Sequence, residues 1–176
     1  MKFKVAAWCA IVSAVLCMPY FVLVVLSAAT KNMVLSYASS IIAVVFLPLG
    51  ICILLGYLKI ANILKIPFLK TISYVMFGIL ALGTLYTVSD FLHLNLGVIT
   101  TIVSLIIHGI VIIIFGVAIL KLKETFGGLA IGIGVLCIIE GAFFATVILT
   151  FLVPLTETAI GILEALLFFK AEKSLT

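Results

Sequence analysis

The chain has 176 residues, of which 66% are hydrophobic and 9% are charged, and its mean hydropathy is +1.57. Soluble domains carry a charge on roughly a quarter of their residues, so this composition excludes a soluble domain and predicts an integral membrane protein in contact with a lipid bilayer. The net charge of +4 comes from ten lysines against six acids. These lysines are separated by apolar runs and do not alternate with aromatic residues, which argues against a nucleic-acid partner.

Six apolar runs follow one another along the sequence. An α-helix rises about 1.5 Å per residue, so roughly 20 apolar residues cross the hydrocarbon layer of a membrane. The pattern predicts an all-α, multi-pass helix bundle forming one transmembrane domain, residues 1–176, with its spans arranged as three hairpins. The predicted spans are residues 5–29, 35–58, 71–92, 98–120, 127–149 and 154–170.

The first run follows Lys2 and Lys4 and contains Pro19. A cleaved signal peptide is the alternative, because the small residues 27–29 resemble a cleavage site. The apolar core is longer than the usual length of about 7 to 15 residues, which favours a membrane span.

The second run begins after Lys31 and carries Tyr37 and Tyr57 near its ends, where tyrosine rings are typically found at the membrane interface. The lysine-rich segment 59–70 that follows is predicted to be an interfacial connection in contact with anionic headgroups.

Polar residues gather where the third run ends and the fourth begins. Asp90 and His93 are three residues apart and can touch on a helix, but a metal site needs a third ligand, and the nearby sequence offers none. We therefore expect no metal. In the fourth run, Ser104 and His108 lie on one helical stripe.

The fifth run carries small residues at steps of three and four, which place them along one side of a helix. Apolar helices gain little by pressing together in lipid, so small residues that permit close approach predict a packed face. The alternative is that glycine is merely frequent in membrane helices. The stripe consists of Gly127, Ala130, Gly134, Cys137, Gly141 and Ala145.

The sixth run is the least regular, because the turn before Pro154 is apolar and a single broken helix would give five spans. The lysines favour six. With six spans, nine of the ten lysines lie on one side and only Lys31 lies on the other. The positive-inside rule then places both termini in the cytoplasm, and we expect a cell (cytoplasmic) membrane.

Ionisable side chains are costly inside a membrane and are candidates for function. From the outer helix ends, His108 is expected about 18 Å deep, Glu140 about 14 Å and Glu164 about 15 Å. Their clustering predicts an outward-opening polar pocket that ends near the midplane, with His108 bonded to a carboxyl group and with a preference for small cations. The alternative is that these groups bond to one another and only join the helices. The predicted pocket residues are Ser104, Asp90, His108, Glu140, Glu157 and Glu164.

The sequence carries no recognisable catalytic motif and no cysteine pair with CxxC spacing, so we expect neither an enzyme nor a bound cofactor. The first functional hypothesis is a non-catalytic protein that acts through helix packing, as a homo-oligomer or as a small subunit of a larger membrane assembly. The alternative is a small carrier or ligand-binding membrane protein, linked to protons or other cations through the polar pocket.

Overall fold

The computed structural model describes residues 2–91, 98–147 and 149–175, without the side chains of residues 85–91 and 98. Its described residues form helices and short connections. A 3₁₀ turn, Thr150–Leu152, precedes the last helix. The α-helices are α1 (Phe3–Thr30), α2 (Met33–Ile63), α3 (Pro67–Phe91), α4 (Val98–Leu120), α5 (Lys123–Phe126), α6 (Gly128–Thr146) and α7 (Val153–Ser174).

Six helices in the described part of the chain are long and apolar enough to cross a membrane, and α5 is a single turn. The expectation of six membrane-length helices is confirmed. The last of them includes the 3₁₀ turn and extends over Thr150–Ser174, which is longer than the predicted sixth span. The protein is therefore an integral, multi-pass helix bundle.

The connection between α2 and α3 is shorter than expected, because most of segment 59–70 is helical. Only residues 64–66 separate the two helices, and Lys65 adopts a left-handed conformation with φ 55°. Pro67 begins α3, a position that suits a residue without a backbone N–H group. The Lys59 ammonium lies 4.2 Å from the centre of the Phe3 ring, so this lysine contacts α1 of the protein itself.

The apolar turn between α6 and α7 satisfies part of its own backbone. The Leu152 amide donates to the Leu149 carbonyl at 3.0 Å, and the Thr150 hydroxyl donates to the Val147 carbonyl at 2.8 Å. Backbone groups in lipid need internal partners, and these bonds supply some of them. Pro154 lies in the first turn of α7, as its position in the sequence predicted.

The six long helices pack as a closed ring. In their principal contacts, α1 packs on α2 and α7, α3 lies between α2 and α4, and α6 lies between α4 and α7. The most extensive contacts are α4 with α6 and α1 with α7, neither of which is a predicted hairpin pair. The ring surrounds a central space, and each long helix contributes residues to its lining.

Close approach of α4 and α6 depends on two glycine pairs in antiparallel register. A Cβ atom on Gly109 would lie 2.5 Å from the Gly141 carbonyl oxygen, and one on Gly116 would lie 2.6 Å from the Gly134 carbonyl oxygen. Contacts at these distances are too short for a side-chain carbon. The predicted small-residue stripe therefore packs against α4 of the same chain.

Of the other members of the predicted stripe, Ala130 and Ala145 are packed, whereas Gly127 is not. Ala130 is fully buried, and the Ala145 amide lies 2.7 Å from a Cβ built on Gly109. Gly127 does not belong to the packed face: nothing lies within 4 Å of its Cβ position, and its φ of 61° places it in the turn between α5 and α6. Its freedom to adopt positive φ explains glycine at this position.

Both ends of the described chain lie at the same end of the ring. The Phe3 amide donates to the Glu172 carboxyl oxygen at 2.9 Å, which joins the start of α1 to the end of α7. At this end the interior is filled by large side chains that lie within three residues of a lysine, among them Phe3, Phe126 and Phe168, which are at most 1% exposed. These side chains close the ring at its lysine-rich end.

Candidate ligand-binding cavity

A cavity of about 180 Å³ lies within the ring and is lined by residues of all six long helices. Its polar wall comes from α1, α6 and α7 and consists of Ser13, Cys137, Glu140, Glu157 and Glu164. The remaining wall is mainly apolar and consists of Phe46, Gly50, Ile53, Met76, Leu80, Ile112, Phe115, Ile160 and Gly161.

Glu140, in the middle of α6, lines the cavity with only 7% of its surface exposed. Its Oε2 atom is buried and accepts no hydrogen bond from the side chains and backbone that the structure describes. Buried polar atoms normally have partners, because an unpaired buried acceptor costs about 1 to 3 kcal/mol. Glu140 therefore presents an acceptor that a ligand can satisfy.

Glu164, on α7, is held by α2. The Tyr57 hydroxyl donates to its Oε1 atom at 3.0 Å, and both side chains are buried. The Tyr57 ring packs edge-on against Phe115 and Phe168, with centroid separations of 5.2 and 5.1 Å. These aromatic contacts hold the Tyr57 ring in place, and the Tyr57 hydroxyl in turn holds the Glu164 carboxyl group.

Glu157 lies two turns before Glu164 on the same helix and is held by α1. The Cys17 thiol donates to its Oε2 atom at 3.2 Å and lies 3.6 Å from the Pro154 carbonyl oxygen. Steps of three and four residues place Glu157, Gly161 and Glu164 on one face of α7. Gly161 brings this face against α1, because its Cβ position lies 2.9 Å from the Ala14 Cβ atom.

Two of the three glutamates thus have a side-chain donor from a neighbouring helix, whereas Glu140 has a buried oxygen without one. The acidic groups come from α6 and α7. The opposite part of the ring, α2 and α3, contributes apolar side chains such as Phe46, Met76 and Leu80. The cavity is consequently acidic on one side and hydrocarbon on the other.

The remaining predicted pocket residues lie elsewhere or outside the description. His108 is partly buried and packs edge-on against the Phe144 ring at 4.9 Å, and no hydrogen bond within the described residues joins it to a glutamate. Ser104 is exposed on α4.

Two residues of the predicted polar cluster cannot be placed in relation to the cavity. Asp90 belongs to α3, but its side chain lies outside the described residues, and His93 lies outside them entirely. The predicted outward opening of the pocket depends on this region and stays a prediction.

Tyr57, which donates to the cavity residue Glu164, is the residue that the sequence pattern misassigned. Its position near the end of an apolar run indicated an interfacial ring, yet it is fully buried and bonded to Glu164. The interface expectation is wrong for Tyr57. The hydroxyl of a fully buried tyrosine usually needs a hydrogen-bond partner. The Glu164 carboxyl group is that partner for Tyr57, so Tyr57 can be buried in the ring.

A larger groove of about 380 Å³ lies between α1 and α7 but has little polar chemistry. Val15 and Ile162 in its lining are exposed, and the Thr158 hydroxyl already donates to the Pro154 carbonyl at 2.7 Å. In a membrane-spanning protein this groove faces acyl chains.

The cavity combines three carboxyl groups with a mainly apolar wall. Within the described residues, no group of three or more histidine, cysteine or acidic side chains has the geometry to hold a metal ion. Comparisons of this chain with protein-family models, curated proteins and solved structures found no match. The structure shows an integral membrane helix bundle.

Proposed function

We propose that this protein is a membrane protein that binds a small cation in its central cavity. The observation that supports the proposal most directly is Glu140, which lines the cavity and whose buried Oε2 atom accepts no hydrogen bond in the described chain. Glu157 and Glu164 line the same space and add their carboxyl groups to its polar wall.

The cost of burying acidic groups favours a functional role for them. An ionisable side chain inside a membrane is expensive and normally pairs with another group or marks a ligand or ion pathway. The lysines do not line this cavity, and Lys59, Lys121 and Lys170 contact Phe3, Phe68 and Phe126 at the lysine-rich end. A bound cation would supply the missing positive charge.

The lysine-rich end is assigned to the cytoplasmic side of a cell membrane by the positive-inside rule. Large buried side chains fill the ring at that end, so we assign the route into the cavity to the opposite, outer side. Alternate access from the inner side would make the protein a carrier, and Pro19 and Pro48, which lie inside α1 and α2, are the candidate hinges.

The packing hypothesis loses one of its supports but stays a prediction. The small-residue stripe of the fifth run was one observation behind it. Gly134 and Gly141 of that stripe instead contact Gly116 and Gly109 in the same chain. The mass of the protein in mild detergent, measured by light scattering, tests whether it assembles with other copies through another face.

Thermal unfolding in an uncharged detergent tests cation binding. The probes are the chlorides of sodium, ammonium, methylammonium, butylammonium and benzylammonium, at equal ionic strength. We expect at least one cation to raise the unfolding temperature of the wild type, because a ligand that binds only the folded state stabilises it. Glu140→Gln should lose this effect, whereas Glu124→Gln, which changes an exposed glutamate outside the cavity, should retain it.

Two results would contradict the proposal. One is a wild-type protein whose unfolding temperature responds to none of the five cations. The other is an equal response in Glu140→Gln, which would place binding away from the cavity.

A further inference from the structure

We propose that the ligand is a compact organic ammonium ion, with its nitrogen at Glu140 Oε2 and its hydrocarbon part against the α2 and α3 side of the cavity. This inference rests on the proposed cation-binding function and names its ligand class. The distribution of side chains carries it, because acidic groups occupy one side of the cavity and apolar groups occupy the other.

The acidic side selects a group with N–H donors. Glu164 accepts from Tyr57 and Glu157 accepts from Cys17, so the partnerless Glu140 Oε2 atom is the most available acceptor. Hydrogen bonds that involve a charged group are roughly twice as strong as neutral ones. A primary ammonium can donate to Glu140 and direct its other N–H groups toward the neighbouring carboxyl groups.

The apolar side selects a hydrocarbon group. Phe46 and Ile53 from α2 and Met76 and Leu80 from α3 line it, and Phe115 lies between the two sides on α4. The edge-on contact with Tyr57 holds the Phe115 ring in place. An aromatic ring can also attract a nearby ammonium group through its π electrons.

The volume limits the size of the ligand. An engineered cavity of about 150 Å³ in another protein holds benzene, which has six heavy atoms. The cavity here measures about 180 Å³, so it suits a ligand of about six or seven heavy atoms. Hydrated inorganic ions would leave the hydrocarbon side unfilled, and calcium typically takes about six to eight oxygen ligands.

Dissociation constants for a homologous series test the inference. We would measure them for sodium, ammonium and the straight-chain ammonium ions from methyl to octyl, by equilibrium dialysis in uncharged detergent. Affinity should rise about fourfold for each added methylene, which corresponds to about 0.8 kcal/mol per buried CH₂ group. It should stop rising near pentyl or hexyl and fall for octyl. The matched neutral alcohols should bind at least tenfold more weakly.

Two variants locate the two ends of the ligand. Glu140→Gln should weaken butylammonium binding at least tenfold, with Glu124→Gln as the unchanged control. Ile53→Ala enlarges the apolar side and should shift the preferred chain length upward by about two carbons, through removal of buried hydrocarbon. This variant keeps all three glutamates, so it tests the site even where Glu140→Gln fails to fold.

The outcomes separate this inference from the proposed function. Binding of sodium or ammonium with no gain along the alkyl series would overturn the organic ligand class and leave the cation site in place. Absence of binding by every cation tested would overturn both. An unchanged chain-length preference in Ile53→Ala would contradict the assigned position of the hydrocarbon part.

Discussion

Three glutamates in one cavity differ in the partners that surround them. Glu164 and Glu157 are tied to α2 and α1 by Tyr57 and Cys17, whereas Glu140 Oε2 has no donor among the described residues. The Glu164 and Glu157 carboxyl groups are therefore held by neighbouring helices, whereas Glu140 keeps one oxygen without a donor in the described chain. This difference is why the proposed ligand is assigned to Glu140.

The Tyr57 hydroxyl provides a test of this assignment. Tyr57→Phe removes the donor to Glu164 and leaves the ring in place. We expect the free energy of unfolding to fall by about 0.6 to 1.7 kcal/mol, from the average to the maximum value measured for side-chain hydrogen bonds in a membrane protein. Titration with dodecyl sulfate in mixed micelles gives this quantity. Tyr74→Phe is the matched control, since Tyr74 is 56% exposed on α3.

A double-mutant cycle separates the bond from other effects of the substitution. Combining Tyr57→Phe with Glu164→Leu should give less destabilisation than the sum of the two single changes. Additive effects would show that the two side chains do not stabilise each other.

The acidic residues of the site could be predicted from the sequence, whereas their partners could not. A glutamate in an apolar run stands out because an ionisable side chain inside a membrane costs free energy, and this criterion identifies Glu140, Glu157 and Glu164. A tyrosine near the end of such a run is compatible with the interface and with the interior. Only the packing of Phe115 and Phe168 around Tyr57 distinguishes the two.

At the scale of helices, the α4–α6 pair is organised by glycine. Gly109 and Gly116 are seven residues apart on α4, and Gly134 and Gly141 are seven residues apart on α6, so the pairs meet twice along an antiparallel contact. Spacing within α6 predicted a close approach but did not name its partner. The equal spacing on α4 was the sequence signal that would have suggested it.

Substitution of a single glycine tests this contact. Gly141→Ala places a carbon 2.5 Å from the Gly109 carbonyl oxygen and 2.6 Å from Ile113, so the helices must separate. Overpacking of this kind costs about 1 to 3 kcal/mol. We expect a corresponding loss in the free energy of unfolding, measured by the same dodecyl sulfate titration.

Gly78→Ala is the control, because nothing lies within 4 Å of a Cβ atom on Gly78. Alanine is favoured over glycine inside a helix by about 0.5 to 1 kcal/mol, so this change should leave stability equal or higher. Equal effects of the two substitutions would contradict a glycine-dependent contact between α4 and α6.

At the scale of the whole molecule, the ring places a polar cavity above a closed, lysine-rich end. Hydropathy predicted the number of membrane-length helices, because each needs a long apolar run. It could not predict their order around the ring, since apolar residues surround these helices on all sides and mark no single buried face. The ring order is what brings Glu140 of α6 together with Glu164 of α7 and Tyr57 of α2.

The arrangement of the ends can be tested with cysteine labelling. In a protein whose four native cysteines are replaced by alanine, Lys65→Cys and Lys173→Cys should react with a membrane-impermeant maleimide only from the cytoplasmic side. Lys31→Cys should react only from the outer side, as six crossings require. Reaction of Lys31→Cys and Lys173→Cys from the same side would contradict this topology.

Calorimetric titration of the purified protein with butylammonium chloride in uncharged detergent tests the central claim most directly. A cavity lined by residues of all six long helices contains Glu140, which has a buried oxygen without a partner in the described chain, so we predict one bound ammonium per protein chain. Glu140→Gln should abolish the binding heat, and Glu124→Gln should preserve it. Unchanged stoichiometry and affinity in Glu140→Gln would contradict the claim that Glu140 receives the ligand.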